Sequence, residues 1–267
     1  MEFHGADKIR SSRPYYAKRG SKAPLKTKRG ASVIGGFEMK QRKTIFDDGF
    51  QDYLVKGAEF EGNDGIPKML GIDNAEVPSA LVSFAKAKTG KFRKGYIHFY
   101  IHDREYGDLL TNTRKYDALF DKFDGIITPD PTIVIGKSRC LHAVATYMNR
   151  AIGLYEQRRG MPVICNVRWG DPSTYDFCFL GIPKHSLVAI STHGVIARDK
   201  GNGNLLRHYF KMGLGEMLSR LKPKGVIVYG YMPNDIFGDY IEQTRFYRFP
   251  SEFELTHPKK EEKQTWG

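Results

Sequence analysis

Five short apolar segments between Tyr96 and Tyr231 run directly into polar residues of the kinds that bind ligands or transfer protons. These ends read His102-Asp103, Thr128-Pro129-Asp130, Arg168-Trp169-Gly170-Asp171, Ser191-Thr192-His193 and Tyr229-Gly230-Tyr231. In a parallel α/β protein the carboxyl ends of the strands lie along one edge of the sheet. We therefore expect these residues to converge on one cleft.

Carboxylates and imidazoles at the first two ends suggest two kinds of chemistry. His98, Tyr100 and His102 alternate along one segment and so share a face, and Asp103 follows them. Together with Asp130, they have the ligand types for Mg²⁺, Mn²⁺ or Zn²⁺, with the two aspartates as metal ligands, or for general acid/base catalysis. The alternative is structural, because Asp103 suits a helix N-cap and Asp130 suits a turn before proline.

The later ends add candidates for ligand recognition. Arg168 has the chemistry to hold an anion, and Trp169 either stacks on a base or sugar or seals the end of the core. His193 is a further candidate catalytic residue at the same edge. Ser191 precedes it closely, but no G-x-S-x-G turn surrounds that serine, so we do not expect a serine hydrolase.

The pattern that must position these residues alternates short apolar strands with helices. Strands are predicted near residues 80–85, 96–102, 125–128, 162–167, 187–190 and 226–228, and helices near 104–122, 138–159, 205–221 and 234–243. Alternation of this kind implies a mostly parallel sheet. Because six strands are too few for eight-fold closure, we predict an incomplete or distorted (β/α) barrel, with an open doubly wound sheet as the alternative. The first strand pair is either an antiparallel hairpin or an irregular entry into the sheet.

Net charge divides the chain. The 267 residues carry a net charge of +12, yet residues 1–45 hold twelve Lys/Arg against three Asp/Glu, which leaves 30 basic and 27 acidic residues elsewhere. We therefore predict a basic flexible arm over 1–43, one α/β domain over 44–250 and a charged tail over 251–267. No apolar run is long enough to span a bilayer and no secretory signal is visible, so we expect a cytoplasmic protein with no membrane contact.

The basic arm predicts a nucleic-acid partner. It is rich in Gly, Ser, Pro and Lys without helical or strand periodicity, so we expect it to be disordered by itself. Its basic groups would neutralise phosphates and its two tyrosines would stack on bases. The alternative is a solvated tail or a contact to an acidic protein. The nucleic-acid-binding candidates are Arg10, Arg13, Tyr15, Tyr16, Lys18, Arg19, Lys22, Lys26, Lys28 and Arg29, joined by Arg168 and Trp169.

Several segments together resemble a known family. They read His98-Phe-Tyr-Ile-His-Asp103, Phe123-Asp-Gly-Ile-Ile-Thr-Pro-Asp130, Asn149-Arg150, Phe177-Cys-Phe-Leu-Gly-Ile-Pro-Lys184 and Ser191-Thr-His-Gly-Val195. On these segments the chain is similar to an uncharacterised family of bacteria, phages and other mobile elements, the domain of unknown function DUF4417. The resemblance implies an α/β fold and a mobile-element context, and it implies no reaction.

Three functions follow as hypotheses. The first is a nucleic-acid-associated protein of a phage or other mobile element, whose arm binds the phosphate backbone and whose strand ends read or process a strand. The second is an enzyme with a TIM-barrel-like fold acting on an anionic or sugar-like small molecule. The third is a non-catalytic phage scaffold. The sequence identifies neither a protein partner nor a cofactor beyond the divalent metal.

Overall fold

The computed structural model describes residues 51–71, 74–196 and 203–257. The arm candidates from Arg10 to Arg29 lie outside the described residues. The strands within the described ranges are Phe60–Glu61 (β1), Ile66–Pro67 (β2), Leu81–Ser83 (β3), Tyr96–His98 (β4), Gly125–Ile127 (β5), Val163–Asn166 (β6), Leu187–Ser191 (β7), Gly225–Tyr229 (β8) and Phe246–Phe249 (β9). The α-helices are Phe84–Ala87 (α1), Gly107–Thr111 (α2), Asp117–Phe120 (α3), Arg139–Arg158 (α4), Gly203–Leu221 (α5), Asn234–Phe237 (α6) and Glu252–Thr256 (α7).

Strands β3 to β9 form one seven-stranded sheet in sequence order, and every neighbouring pair is parallel. β1 and β2 form a separate antiparallel pair. Sequential parallel strands are the arrangement of a (β/α) barrel, and a sheet of seven is one strand short of a complete barrel. The predicted incomplete barrel is confirmed. The doubly wound alternative is excluded because the strand order never reverses.

The two faces of this sheet pack into different clusters. Ile97 and Ile126 join the larger cluster with the helices, whereas Tyr96 and Ile127, one residue away, join a smaller cluster on the concave face. This is the period-two alternation expected of strands. On the concave face the rings of His98 on β4 and Tyr229 on β8 lie 4.5 Å apart, although three strands separate β4 from β8. The sheet is therefore strongly curled, and we call it a half-barrel.

The first pair of sheet strands settles a question that the sequence left open. β3 and β4 are parallel, in the register Leu81↔Tyr96 to Ser83↔His98, so the hairpin alternative is excluded. The strand ends earlier than predicted because the chain turns at once into α1. That turn lengthens the connection to twelve residues, 84–95, which is enough for a crossover.

The predicted helix over 104–122 is divided into shorter pieces. α2 ends at Thr111, the backbone of the next residue, Asn112, is extended (φ −152°, ψ 70°), and a 3₁₀ turn then leads into α3. The side chain of Gln51 occupies the break. Its Oε1 accepts from the amide of Thr113 and its Nε2 donates to the carbonyl of Leu110, both at 2.7 Å. Gln51, at least 59 positions away in sequence, thus forms hydrogen bonds with backbone groups that would bond to each other along a continuous helix.

The predicted helices over 138–159 and 205–221 match α4 and α5 closely. Gly160 ends the first with a positive φ of 87°, as its position predicted. The predicted helix over 234–243 shortens to α6 and a following 3₁₀ turn. No helix in the described part of the chain is both long and apolar enough to cross a membrane.

Two elements near the C-terminus were not predicted. β9 pairs with β8 from Val226↔Phe246 to Tyr229↔Phe249 and adds a seventh strand to the sheet. α7 lies within the segment assigned to the charged tail. Its N-cap is Ser251, whose hydroxyl accepts from the amide of Glu254 while the Glu254 carboxylate accepts from the amide of Ser251, a complete capping box.

Candidate functional site

A hydrogen-bonded polar group lies at the carboxyl edge of the half-barrel, and we call it the mouth network: Tyr100, Asp130, Asn166 and Arg168. Asp130 is only 7% exposed. One of its carboxylate oxygens lies 2.7 Å from Arg168 Nη1 and the other accepts from Asn166 Nδ2 at 2.7 Å. Tyr100 donates its hydroxyl to Asn166 Oδ1 at 3.1 Å. The structure thus brings Asp130 and Arg168 together, as strand order predicts, and adds Asn166, which the sequence analysis missed.

Burial and hydrogen bonding shift the pKa of Asp130 in opposite directions. Burial raises the pKa of Asp130 above its ordinary value, while Arg168 and Asn166 act in the opposite direction by stabilising the carboxylate. Burial also raises the pKa of Tyr100, so its phenol stays neutral and remains a hydrogen-bond donor. Arg168 is the one member with appreciable exposure, 22% of its side chain. The buried aspartate therefore orients a guanidinium at the solvent side of the mouth.

The rings of His98, Tyr100 and Tyr229 pack against one another beside the mouth network. Tyr100 stacks on Tyr229 with centroids 5.0 Å apart, and His98 contacts both rings. Burial, with electrostatic contributions from Lys86 and His193 as smaller causes, lowers the pKa of His98 to about 3. His98 is therefore neutral at physiological pH. Its Nδ1 accepts from the amide of Tyr100 at 3.2 Å, which places the ring hydrogen on Nε2.

The His102-Asp103 pair has a structural environment. His102 is exposed and its Nδ1 accepts from the amide of Arg104, which caps the following 3₁₀ turn. Asp103 accepts from the hydroxyl and the amide of Thr132 at 2.8 and 3.1 Å. Tyr106 Oη lies 3.0 Å from Asp103 Oδ1 and 2.7 Å from the Asp130 carbonyl. Asp103 thus fixes the loop after β5, and within the described structure His102 forms no hydrogen bond to the mouth network.

Asn149 and Arg150 on α4 support the mouth from behind. Asn149 Nδ2 donates to the carbonyls of Pro129 and Asn166, at 2.6 and 3.1 Å, so it ties the ends of β5 and β6 together. Arg150 is 1% exposed and donates to the carbonyls of Leu180 and Cys178 at 2.9 and 2.7 Å. The sequence placed this pair on a helix, and its role is to position strand ends.

The remaining predicted residues are separated. Ser191 Oγ accepts from the amide of His193 at 3.1 Å, so the serine is engaged by the histidine backbone and not by its ring. The exposed ring of His193 packs edge-on against Tyr229 at 6.1 Å. Trp169 is 8% exposed and packs against Phe179 and Phe210 in the core. Its position matches the core-sealing alternative and leaves no face for stacking on a ligand.

A large concave surface lies along β8, β9 and α7, and we call it the groove. It has a volume of about 1680 Å³, and its wall includes the loops after β7 and β8. Tyr231 and Phe253 expose 44% and 61% of their surface. The guanidinium of Arg248 lies over the Tyr231 ring, 5.6 Å from its centroid, and pairs with Glu254. The basic and aromatic residues of the wall are His193, Arg207, Arg245, Arg248, His257, Tyr231, Phe237, Phe246 and Phe253.

The carboxylates proposed as metal ligands are occupied by protein donors. Asp130 accepts from Asn166 and Arg168, and Asp103 accepts from Thr132. Within residues 51–71, 74–196 and 203–257, no group of three or more His, Cys, Asp or Glu side chains is arranged to hold a metal ion. A metal at Asp130 would have to displace an arginine. The divalent metal stays a prediction, without support from this geometry.

Comparison with known proteins gives a context without a reaction. The sequence model of a family described as "Domain of unknown function (DUF4417)" matches residues 58–248. The chain is 28% identical over 138 residues to the Gene 1 protein of Mycobacterium phage L5, covering 52% of this chain and 58% of that protein. It is 29% identical over 136 residues to the Gene 1 protein of Mycobacterium phage D29, covering 51% and 48%. The match therefore spans about half the length of these relatives. No solved structure matches the chain.

Proposed function

Because this chain belongs to the DUF4417 family, and is similar to two phage proteins, we propose that it is a phage-associated protein that binds single-stranded nucleic acid in the groove. The basic arm adds affinity for the phosphate backbone. The observation that carries the proposal is the groove itself, which joins partly exposed aromatic rings to arginines in one concave surface.

The size of the groove favours an extended ligand. Pockets for small molecules usually measure roughly 300 to 1000 Å³, whereas the groove measures about 1680 Å³. A chain of several nucleotides would fill such a space, and a single metabolite would leave most of it to water.

The lining of the groove favours a strand with bases and phosphates. Tyr231 and Phe253 are partly exposed, although Arg248 lies over one ring and His257 stacks on the other. Each base stacked on the remaining ring surface contributes about 1 to 3 kcal/mol without regard to sequence. Arg207, Arg245 and Arg248 supply positive charge along the same wall, against Glu242 and Glu254. Bases stacked on aromatic rings between arginines are the usual mode of single-strand binding.

The arm would bind through electrostatic attraction to phosphates, whereas the groove would bind through stacking. Each phosphate that a lysine or arginine neutralises releases counterions, so the affinity falls steeply with salt concentration. The excess of nine positive charges in residues 1–45 predicts such a term. Groove and arm can therefore be separated by measurement, because stacking is insensitive to salt and counterion release is not.

Fluorescence anisotropy with a labelled oligothymidylate tests the proposal. Phe253→Ala should weaken binding about fivefold or more with an unchanged salt slope. Lys26, Lys28 and Arg29 changed together to Gln should lower that slope by about 2. Phe60→Ala is the matched control, because Phe60 is 50% exposed on β1 and does not line the groove. Equal affinity of the Phe253 and Phe60 variants would refute the groove, and an unchanged salt slope would refute the arm.

The mouth network favours a second candidate, an enzyme that acts on an anionic small molecule. In (β/α) barrels the catalytic residues sit at the carboxyl ends of the strands, where Asp130 orients Arg168. Arg168→Lys would keep the charge but lose the fork that binds carboxylate or phosphate in two places. Under this candidate the variant binds inorganic phosphate more weakly than the unchanged protein does. Equal phosphate binding by the two proteins would exclude an anion site at Arg168.

A further inference from the structure

The half-barrel has an open seam between its first and last strands. Among the described residues, no strand pairing joins β3 to β9. The two edges are nevertheless drawn together, because Lys86 Nζ on α1 lies 3.2 Å from Glu252 Oε1 on α7. The amide of Glu252 also donates to Tyr229 Oη at 3.0 Å. α7 thus covers the seam that an eighth strand closes in a complete barrel.

A cavity lies inside this seam, and we call it the seam cavity. Leu81 and Val82 of β3 form one wall, Phe249 of β9 forms the other, and His98 and Tyr229 lie at its base. Its volume is about 190 Å³. An apolar cavity of roughly 150 Å³ holds one benzene molecule, so the seam cavity has the size of a single six-membered ring.

His98 supplies a directional polar group to the base of the cavity, which Tyr229 and the Lys86–Glu252 ion pair also line. His98 is 1% exposed, and its Nδ1 already accepts from the amide of Tyr100. The neutral ring therefore carries its hydrogen on Nε2, which makes it a donor and not an acceptor. The low pKa of His98 agrees with a ring that stays uncharged at the base of the seam. The charge of Lys86 in the cavity wall is paired with Glu252, so a neutral ligand with one acceptor atom suits this environment.

Two apolar side chains that line the cavity leave part of their surface in contact with water, which is unfavourable. Phe92 is 43% exposed and Leu255 is 65% exposed, and both line the cavity. Exposed apolar groups beside a cavity typically mark a place where a ligand covers them. Aromatic rings on the walls, Phe249 and Tyr229 among them, favour a planar occupant.

We propose that the seam cavity binds a neutral, single-ring aromatic ligand that accepts one hydrogen bond from His98 Nε2. This site is separate from nucleic-acid binding in the groove. The two share only Pro250 in their walls. The ring can belong to a free heterocycle or to a base of a bound strand, and these sources differ in whether an oligonucleotide competes for the site.

Pyridine and benzene are the probes, because they share a shape and only pyridine has an acceptor. Titration of the full-length protein, followed by NMR at mildly alkaline pH, should show saturable shifts at His98 and Tyr229. Pyridine should bind roughly three- to tenfold more tightly than benzene. His98→Phe keeps a ring of similar size and should remove that preference while benzene still binds. Displacement of pyridine by an oligothymidylate identifies a base as the ring, and lack of displacement identifies a free heterocycle.

A second variant, at an exposed position, tests the cavity independently of whether the buried His98→Phe variant folds. Leu255→Trp adds bulk at the exposed opening and should block both probes. Leu205→Trp is the matched control, because Leu205 is 46% exposed on α5 and does not line the cavity. The proposal is overturned if neither probe shifts the cavity resonances, or if both probes bind the Leu255 variant as they bind the control. A groove that binds oligothymidylate would be unaffected by that failure.

Discussion

The pH dependence of folding should be governed by two buried groups that act in opposite directions. Glu156 on α4 is fully buried. Its Oε2 accepts from Arg159 Nη1 at 2.6 Å, while its Oε1 has no hydrogen-bond partner in the described structure. Burial raises the pKa of Glu156 to about 7, Arg159 counteracts this, and the negative charges of Asp117 and Asp121 add to it.

The sign of the Glu156 contribution follows from its two pKa values. The folded value of about 7 lies above the ordinary value of 4.5, so the folded state binds the proton more tightly than the unfolded state. Stability from this group is complete below pH 4.5 and is lost as the pH rises through 7. The difference corresponds to at most about 3 kcal/mol of unfolding free energy.

His98 contributes with the opposite sign. Its folded pKa of about 3 lies below the ordinary 6.5, so the unfolded state takes up the proton first as the pH falls. Stability from His98 is complete above pH 6.5 and is lost as the pH falls toward 3. Between pH 4.5 and 6.5 the two groups therefore oppose each other, each with a slope of at most about 1.4 kcal/mol per pH unit.

Urea unfolding of single variants across this pH range separates the two slopes. Glu156→Gln keeps the shape and removes the titration, so its stability relative to the unchanged protein should grow by up to about 3 kcal/mol as the pH rises from 4.5 to above 7. The stability of His98→Phe relative to the unchanged protein should fall as the pH rises from 4.5 to 6.5, because only the unchanged protein gains stability from His98 over that range. A stability difference between Glu156→Gln and the unchanged protein that stays constant with pH would refute the reasoning for Glu156.

Three further substitutions test the packing around the mouth by thermal or urea unfolding. Asp130→Ala should cost about 3 kcal/mol because it leaves a partly buried arginine unpaired, and no loss would mean that the pair is not formed in solution. Asn149→Ala should cost about 2 kcal/mol or more, since the buried Pro129 carbonyl loses its donor and the Asn166 carbonyl keeps the longer bond from Arg150, whereas an unchanged midpoint would contradict that tie. Gly213→Ala should cost about 1 to 3 kcal/mol, because its Cβ would lie 2.1 Å from Trp169 Nε1. Gly107→Ala, with open space around the added carbon, is its control and should be neutral.

The sequence was sufficient for the half-barrel because local signals and strand order agree. Apolar β-branched runs mark β5 to β8, and a strongly periodic apolar pattern marks α4. Strand order then places the ends of β5 and β6 side by side, so the contact between Asp130 and Arg168 was predictable from sequence. The alternation in β4 likewise predicts that His98 and Tyr100 share the concave face, as they do.

The features that the sequence did not predict include one site residue and two elements near the C-terminus. Asn166 ends an apolar strand and looks unremarkable by itself, although its position two residues before Arg168 puts it on the same face. β9 was missed because an edge strand rich in aromatic residues and an arginine lacks the β-branched run of a central strand. For α7 a local signal was present, because Ser251 and Glu254 have the spacing of a capping box.

The mouth and the groove differ in what they leave available to a ligand. In the mouth, Asp130 and Arg168 neutralise each other and most of the donors and acceptors are already paired within the protein. The groove and the seam cavity instead expose Phe253 and Leu255, both on α7. That helix lies beyond residue 248, where the family match ends, whereas the whole mouth network lies inside the match. The match thus covers the mouth and most of the groove and cavity walls, and α7 completes those walls from outside it. Changing the exposed residues of α7 should therefore change ligand preference and leave the half-barrel intact.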